Sequence, residues 1–297
     1  MKNKLLKTLT CFASISAIGS AATIISTSCN SQDQQDDYWP EDALPREVYD
    51  IDSKDHTLYG FTRNFERHYD DYKQFDTIWI PSDVKYISNY AFFDTDASAS
   101  KIPTYLKKIA FAEGSNCSSI GQNAFYGCSS LTSVDFSNCK TLSTIGNYAF
   151  RNCNLISSIN FSNCLELTSI GSNVFAVCSS LTSIVFPDNL SEIGIEAFDS
   201  CSSLESITLN KELRNINSCA FRDCSSLTNI EWNFTSNFNM VSIGSSAFAD
   251  IATNNGKIKC TAPETHTSID LLNWLQGKAP YTIRQGSFPT TGWEAIN

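Results

Sequence analysis

Histidine is almost missing from this sequence. His56, His68 and His266 are the three present in 297 residues, and all lie outside the regular central part of the chain. No G-x-S-x-G, H-E-x-x-H or phosphate-binding glycine loop occurs. Carboxylate pairs such as Asp36-Asp37 and Asp70-Asp71 stand in strongly polar stretches and read as solvated charge. Nucleophilic and metal-assisted catalysis therefore have no carriers, and the chain is not read as an enzyme. No cofactor is expected. Basic residues are also scarce: 21 Lys and Arg face 31 Asp and Glu, for a net charge of −10. Such a surface argues against nucleic acid as a partner and against adsorption to anionic lipid. Beyond the N-terminal segment, no apolar run approaches the 18 or more residues of a spanning helix. The 12 cysteines include no C-x-x-C pair, which removes the usual zinc spacing.

What the chain has is repetition. An Ala-Phe or Val-Phe pair returns with its phenylalanine at Phe92, Phe125, Phe150, Phe175, Phe198, Phe221 and Phe248, at gaps of 33, 25, 25, 23, 23 and 27 residues. Seven ordered anchors with a period in the twenties mark a solenoid. Leu131, Val134, Phe136, Leu142, Ile145, Phe150, Cys153 and Ile156 define one period of apolar positions. The shorter repeats lose residues only between the equivalents of Phe136 and Leu142, as in Phe186-Pro-Asp-Asn-Leu190. Length varies in one loop while buried positions keep their phase, as expected for stacked coils.

Within a coil, Val134 and Phe136 alternate with Ser133 and Asp135, the period of a half-buried strand. Ile-Gly follows at Gly121, Gly146, Gly171, Gly194 and Gly244. Glycine there is expected to turn the chain at positive φ, with Asn217 as its tolerant substitute. Ala-Phe-x-x-Cys reads as a short helical or 3-10 turn.

The pattern Leu-x-x-Ile-x-Phe-Pro-x-x-Leu-x-x-Ile-Gly-x-x-Ala-Phe-x-x-Cys-x-x-Leu, nearly complete from Leu181 to Leu204, resembles the BspA-like, or Treponema-type, class of leucine-rich repeats. The resemblance implies a leucine-rich-repeat fold: a right-handed parallel β-solenoid of about seven 23–27-residue coils with capped ends. More loosely, it implies a bacterial surface protein that contacts host proteins or cells. That functional step is analogy, because one fold hosts many functions.

Taken in order, Met1 to Ser28 carries a charged start, an apolar run and small residues, the makings of a secretory signal. Cys29 after Ser-Thr-Ser resembles a bacterial lipobox, with Ser26 where that motif usually has Leu; the resemblance makes Cys29 the lipid-attachment residue. Loss of Lys2, Lys4 and Lys7 would take the charge from −10 to −13. Residues 29–45 are polar and acidic and are expected to form a flexible tether. Residues 46–74 do not repeat and are expected to cap the first coil. The solenoid is assigned to 75–253, with an insertion around Asp94 to Pro103 and a looser one at Asn233 to Asn239. Residues 254–297 are assigned to a C-terminal cap: a last strand at Gly256 to Cys260, a helix at Ser268 to Leu275, and a tail from Tyr281 to Asn297 lying over it.

Cys128, Cys153, Cys178, Cys201 and Cys224 share one repeat position, Cys139 and Cys164 another, and Cys117 replaces a repeat leucine. Equivalent strand residues in stacked coils lie about 4.8 Å apart, whereas disulfides favour a Cβ–Cβ distance near 3.8 Å. Buried free thiols are the favoured reading, with disulfides, encouraged by export, as the alternative.

Strand residues flanked by inward apolar ones point outward. One column is Trp79, Ala110, Asp135, Asn160, Val185, Thr208 and Glu231; the other is Thr77, Lys108, Ser133, Ser158, Ser183, Ser206 and Asn229. Trp79, Asp135, Asn160, Val185, Thr208 and Glu231 are the candidate protein-binding residues of the concave face. The favoured reading is a membrane-anchored surface lipoprotein of the extracellular face, held by its N-terminal lipid alone. Its solenoid would bind a protein, of the host extracellular matrix or cell surface, as in adhesion. A structural or antigenic coat protein without a fixed ligand is the alternative.

Overall fold

The computed structural model describes residues 39–94, 99–100, 104–233, 241–252, 255–260, 272–273, 275–276 and 293–296. The proposed signal segment and Cys29 lie outside them, as do most of both insertions and most of the expected helix at 268–275.

Two sets of parallel strands run through the repeats. The longer strands are Thr77–Ile80, Lys108–Phe111, Ser133–Asp135, Ser158–Asn160, Ser183–Val185, Ser206–Leu209, Asn229–Trp232 and Gly256–Cys260. The two-residue strands are Tyr86–Ile87, Ser119–Ile120, Thr144–Ile145, Ser169–Ile170, Glu192–Ile193, Asn215–Ile216 and Ser242–Ile243. Equivalent residues pair without slippage, as Ile207 with Ile230 and Ile193 with Ile216. Each coil thus adds one strand to each set, giving a parallel β-solenoid of about seven turns. Both ladders are formally interrupted between the coil of Val134 and that of Ile159, and the turns carry the bonding across.

The Ala-Phe segments are not helices. Half of their amide groups close tight turns inside the coil: Ala149 donates to Gly146 O at 3.3 Å, Arg151 to Tyr148 O at 3.1 Å and Cys153 to Phe150 O at 3.2 Å. The intervening amides reach the next coil: Tyr148 to Ser172 O at 2.9 Å, Phe150 to Val174 O at 2.9 Å and Asn152 to Ala176 O at 3.0 Å. The third residues of the turns closed by Ala149 and Cys153 are left-handed, Tyr148 at φ 62° and Asn152 at φ 62°. This alternation is incompatible with a helix, and it makes the turns a third inter-coil ladder.

The positive φ expected at the Ile-Gly glycines is therefore elsewhere. None of Gly121, Gly146, Gly171, Gly194 or Gly244 has it. They are needed for close approach: a Cβ on Gly194 would stand 2.6 Å from the Gly171 carbonyl carbon, and one on Gly244 2.3 Å from Ser218 N. Asn217 occupies the same column by bonding over the preceding coil. Its amide donates to Ile193 O at 3.0 Å and to Glu192 Oε1 at 2.7 Å.

The interior is a set of side-chain ladders. Phe92, Phe125, Phe150, Phe175, Phe198, Phe221 and Phe248 form one continuous stack, with successive ring centroids 4.9–5.6 Å apart and planes within 15°. Phe61 closes the stack edge-on at Phe92, 4.9 Å away. The repeat cysteines lie beside it, fully buried. Four of these thiols donate to the phenylalanine carbonyl of the preceding coil: Cys153 to Phe125 O at 3.2 Å, Cys178 to Phe150 O at 3.3 Å, Cys201 to Phe175 O at 3.2 Å and Cys224 to Phe198 O at 3.2 Å. The nine cysteines with described side chains are free thiols. Burial pushes Cys117, Cys164 and Cys178 up to about 12, and pushes Cys139, Cys153, Cys201 and Cys224 upward as well.

At the N-terminal end, Tyr49–Asp52 and Thr57–Phe61 form an antiparallel hairpin, and Thr57–Leu58 pairs in parallel with the first short strand. Val48, Tyr49, Leu58, Phe61 and Phe65 are buried beneath it. Residues 43–44 depart from the expected tether. Ala43 bridges to Thr77, Leu44 N donates to Thr77 O at 2.9 Å, and both side chains are buried. An apolar pair within an acidic stretch finds the exposed edge of the first long strand. At the other end, Trp293–Ile296 of the expected tail extends the sheet, pairing in parallel with Gly256–Cys260. Among the described residues near 268–275, Leu272 and Leu275 are buried.

Candidate functional site

The long-strand sheet turns Ile and Val inward and polar residues outward, because side chains alternate along a strand. Its outward columns follow the strand register: Trp79 lies beside Ala110, Ala110 beside Asp135, Asn160 beside Val185, and Thr208 beside Glu231. The six candidate residues thus share one column, continued by Lys259. The second column runs through the exposed Lys108, Ser133, Ser158, Ser183, Ser206, Asn229 and Lys257.

The members of the first column differ in what they are free to do. Asp135 and Asn160 each accept from the backbone N–H two residues on, Ser137 and Ser162, at 2.9 Å. They shape the chain as it leaves the strand. Glu231 faces Lys259 at 3.9 Å. Val185 is 47% exposed with an apolar side chain, and Thr208 is exposed beside it on the next strand. Trp79 is half-buried rather than presented. Its backbone N–H donates to Tyr49 Oη of the hairpin at 2.9 Å, and its indole Nε1 is buried. Thr77, at the head of the second column, is buried by residues 43–44. The hairpin and its approach cover the start of this face, which a reading of single strands does not reveal.

The charged groups sit at the two ends of the face. Lys108 bridges Asp76 at 3.0 Å and Asp42 at 4.0 Å. Desolvation alone would raise the Asp76 carboxyl, but the Thr77 hydroxyl and the Lys108 ammonium outweigh it and hold it below its ordinary range. Between Asp135 and Glu231 the outward residues Ser158, Asn160, Ser183, Val185, Ser206 and Thr208 are uncharged and short. No group of three or more His, Cys, Asp or Glu among the described residues could hold a metal ion. No helix among them is long and apolar enough to cross a membrane.

Two surface features lie off this face. An open cavity of about 420 Å³ in the hairpin region is lined by Arg46, Glu47, Tyr49, Ile51, Ser53 and Asp83. Asp83 occupies its Arg46 with two bonds of 3.0 and 2.6 Å. On the short-strand side, Tyr59, Tyr86 and Tyr90 are 49%, 45% and 41% exposed. Sequence reading passed over them, although their alternation with the inward Leu58 and Ile87 was legible.

A family model described as the BspA type leucine rich repeat region, in 6 copies, matches residues 60–119, 104–228 and 144–270. Among solved structures, the leucine rich repeat protein TpLRR of T. pallidum is 23% identical, with a TM-score of 0.54 over 70% of this chain and 88% of its own. A leucine-rich repeat protein from Bacteroides ovatus is 24% identical, with a TM-score of 0.47 over 76% of this chain and 55% of its own. A leucine rich cell surface protein from Faecalibacterium prausnitzii is 17% identical, with a TM-score of 0.40 over 80% of each chain. No curated protein matches the chain.

Proposed function

The chain belongs to the family of BspA-type leucine-rich repeat proteins, and from that premise we propose that it is a repeat scaffold that binds a protein through the outward face of its long-strand sheet. The carrying observation is the division of labour along each strand. Isoleucines and valines hold the interior, while Ser158, Ser183, Val185, Ser206 and Thr208 are exposed. A flat, neutral, short-chained surface spanning several coils suits many modest contacts rather than one large anchor. The proposed setting is the outer face of a bacterial membrane, with Cys29 acylated and the partner a host extracellular-matrix or cell-surface protein. The charged start, apolar run and small residues before Cys29 support that setting.

Two experiments test these readings separately. Labelled fatty acid should enter the full-length protein and not its Cys29→Ser variant; equal labelling of both refutes the anchor. Binding should be measured against purified extracellular-matrix proteins by surface plasmon resonance. A saturable partner at micromolar affinity or better is expected, weakened by Val185→Lys with Thr208→Lys and unchanged by Leu165→Lys on a loop. Adsorption without saturation points to a coat protein instead.

A further inference from the structure

The short-strand side carries a surface that the protein-binding reading leaves unused. The parallel register sets Leu58 opposite Ile87 and Thr57 opposite Tyr86. With Leu58 and Ile87 buried, Tyr59 and Tyr86 both stand on the outward side, as diagonal neighbours on adjacent strands. Strands about 4.8 Å apart with a rise of about 3.3 Å per residue place the two Cα atoms about 8 Å apart, a span that two tyrosine side chains can bridge. Gly60 then abuts the turn that carries Tyr90: a Cβ on Gly60 would stand 2.0 Å from Ala91 O. The three tyrosines are 41–49% exposed. Around them are Ser88, Asn89, Ser119 and Gln122. Asn89 and Gln122 are both exposed, with the Gln122 N–H on Asn89 Oδ1 at 2.7 Å and Tyr90 N on Gln122 O at 2.9 Å. Tyr86 itself pairs laterally with Ser119. From Tyr86 to Tyr90 the chain has no ionisable group besides the phenols, but exposed Lys85 precedes it, and Asp52, paired with Thr57, stands on the side of Tyr59.

We propose that Tyr59, Tyr86 and Tyr90, with Asn89 and Gln122 beside them, form a binding site for a neutral oligosaccharide. Rigid aromatic rings offer flat apolar area at little entropic cost, and hydroxyl and amide neighbours offer adaptable hydrogen bonds. Sugars need both together: ring faces for their C–H surfaces and neutral donors and acceptors for their hydroxyls. The size of the patch separates a sugar from a protein. A tyrosine commits on the order of 150–250 Å², so three at this exposure offer roughly 200–350 Å². A protein interface needs about 800 Å² per partner. The Asp52 carboxylate on the side of Tyr59 and the net charge of −10 disfavour sialylated or sulfated sugars and leave uncharged ones.

The full-length protein should be applied to an array of neutral and acidic oligosaccharides. The best ligand should then be titrated by isothermal calorimetry against Tyr59→Ala, Tyr86→Ala, Tyr86→Phe and Gln122→Ala. At least one neutral oligosaccharide should bind. Loss of either tyrosine ring should weaken it by about tenfold or more, a difference of 1.4 kcal/mol, and Tyr86→Phe should retain most of the affinity. Phe175→Tyr, inside the ring stack, reports what a general loss of fold does to binding. Unaltered circular dichroism in the surface variants shows that their effect is local. The proposal is overturned if no neutral sugar is retained, if acidic sugars alone are retained, or if binding survives removal of the tyrosines.

Discussion

Replacing Gly194 by alanine tests why the glycine column exists. Alanine is an allowed residue at its backbone angles, since φ is not in the left-handed range. If the position were unconstrained, the change would stabilise by about 0.4–1 kcal/mol through the unfolded state. The structure dictates the opposite sign. The added Cβ would lie 2.6 Å from Gly171 C, 2.7 Å from Gly171 O and 2.7 Å from Ile170 O, where ordinary contact begins at 3.4 Å. Relief requires the coils to part by about 0.7–0.8 Å, which takes the Gly194 N–H to Ile170 O bond from 2.8 Å to the limit of hydrogen bonding. A lost bond of about 1 kcal/mol adds to overpacking of about 1–3 kcal/mol, so the expected cost is about 2–4 kcal/mol. Asn217 escapes this because its amide makes two bonds to the preceding coil, a compensation that alanine lacks. Urea unfolding followed by circular dichroism measures the difference. Gly114→Ala provides the contrast: φ is +71° there with nothing within 4 Å, so strain alone costs about 1–2 kcal/mol. A neutral or stabilising Gly194→Ala would refute the close-approach explanation.

Three further outcomes are expected. Phe175→Ala removes a fully buried ring stacked between Phe150 and Phe198 and should cost about 3–5 kcal/mol in the same unfolding assay. Val177 holds φ 63° where equivalent coils place Gly127 or Asn152, so Val177→Asn should raise stability by about 1 kcal/mol. Alkylation at pH 8 with mass mapping should find Cys219, the one half-buried thiol among those described, modified well before the fully buried repeat cysteines. Burial raises Cys153, Cys178, Cys201 and Cys224 above the unfolded value of about 8.5. Their contribution to stability is therefore whole below that pH and falls as pH climbs from there towards 12; equal labelling of all thiols in the native state would count against it.

The solenoid, its phase and its inward residues were legible because a buried position repeated seven times leaves a periodic apolar signal, as in Phe92 to Phe248. The turn geometry was less legible. Its left-handed positions are filled by residues as unlike as Tyr148, Glu196, Cys219 and Val177, since their amide bonds to the next coil use backbone alone. The glycine column was visible, but its cause lay in the coil before it, more than 20 residues away in sequence. The same holds for the expected binding face. Its column was readable from alternation, while the covering of Thr77 and Trp79 depends on Ala43, Leu44 and Tyr49, which carry no repeat signature.

The third ladder has a consequence for how such a chain can change over generations. The coils of Phe125 to Phe221 share the same turn amides, thiol and ring, so the joint between these neighbours is interchangeable. Copying the coding stretch for 23 or 25 residues inserts a complete unit without rewriting its interior. Each copy lengthens the sheet by about 4.8 Å and brings fresh outward side chains that answer to no interior partner. Reach and surface text can then drift independently of the joinery, and selection on a ligand need never touch the phenylalanines.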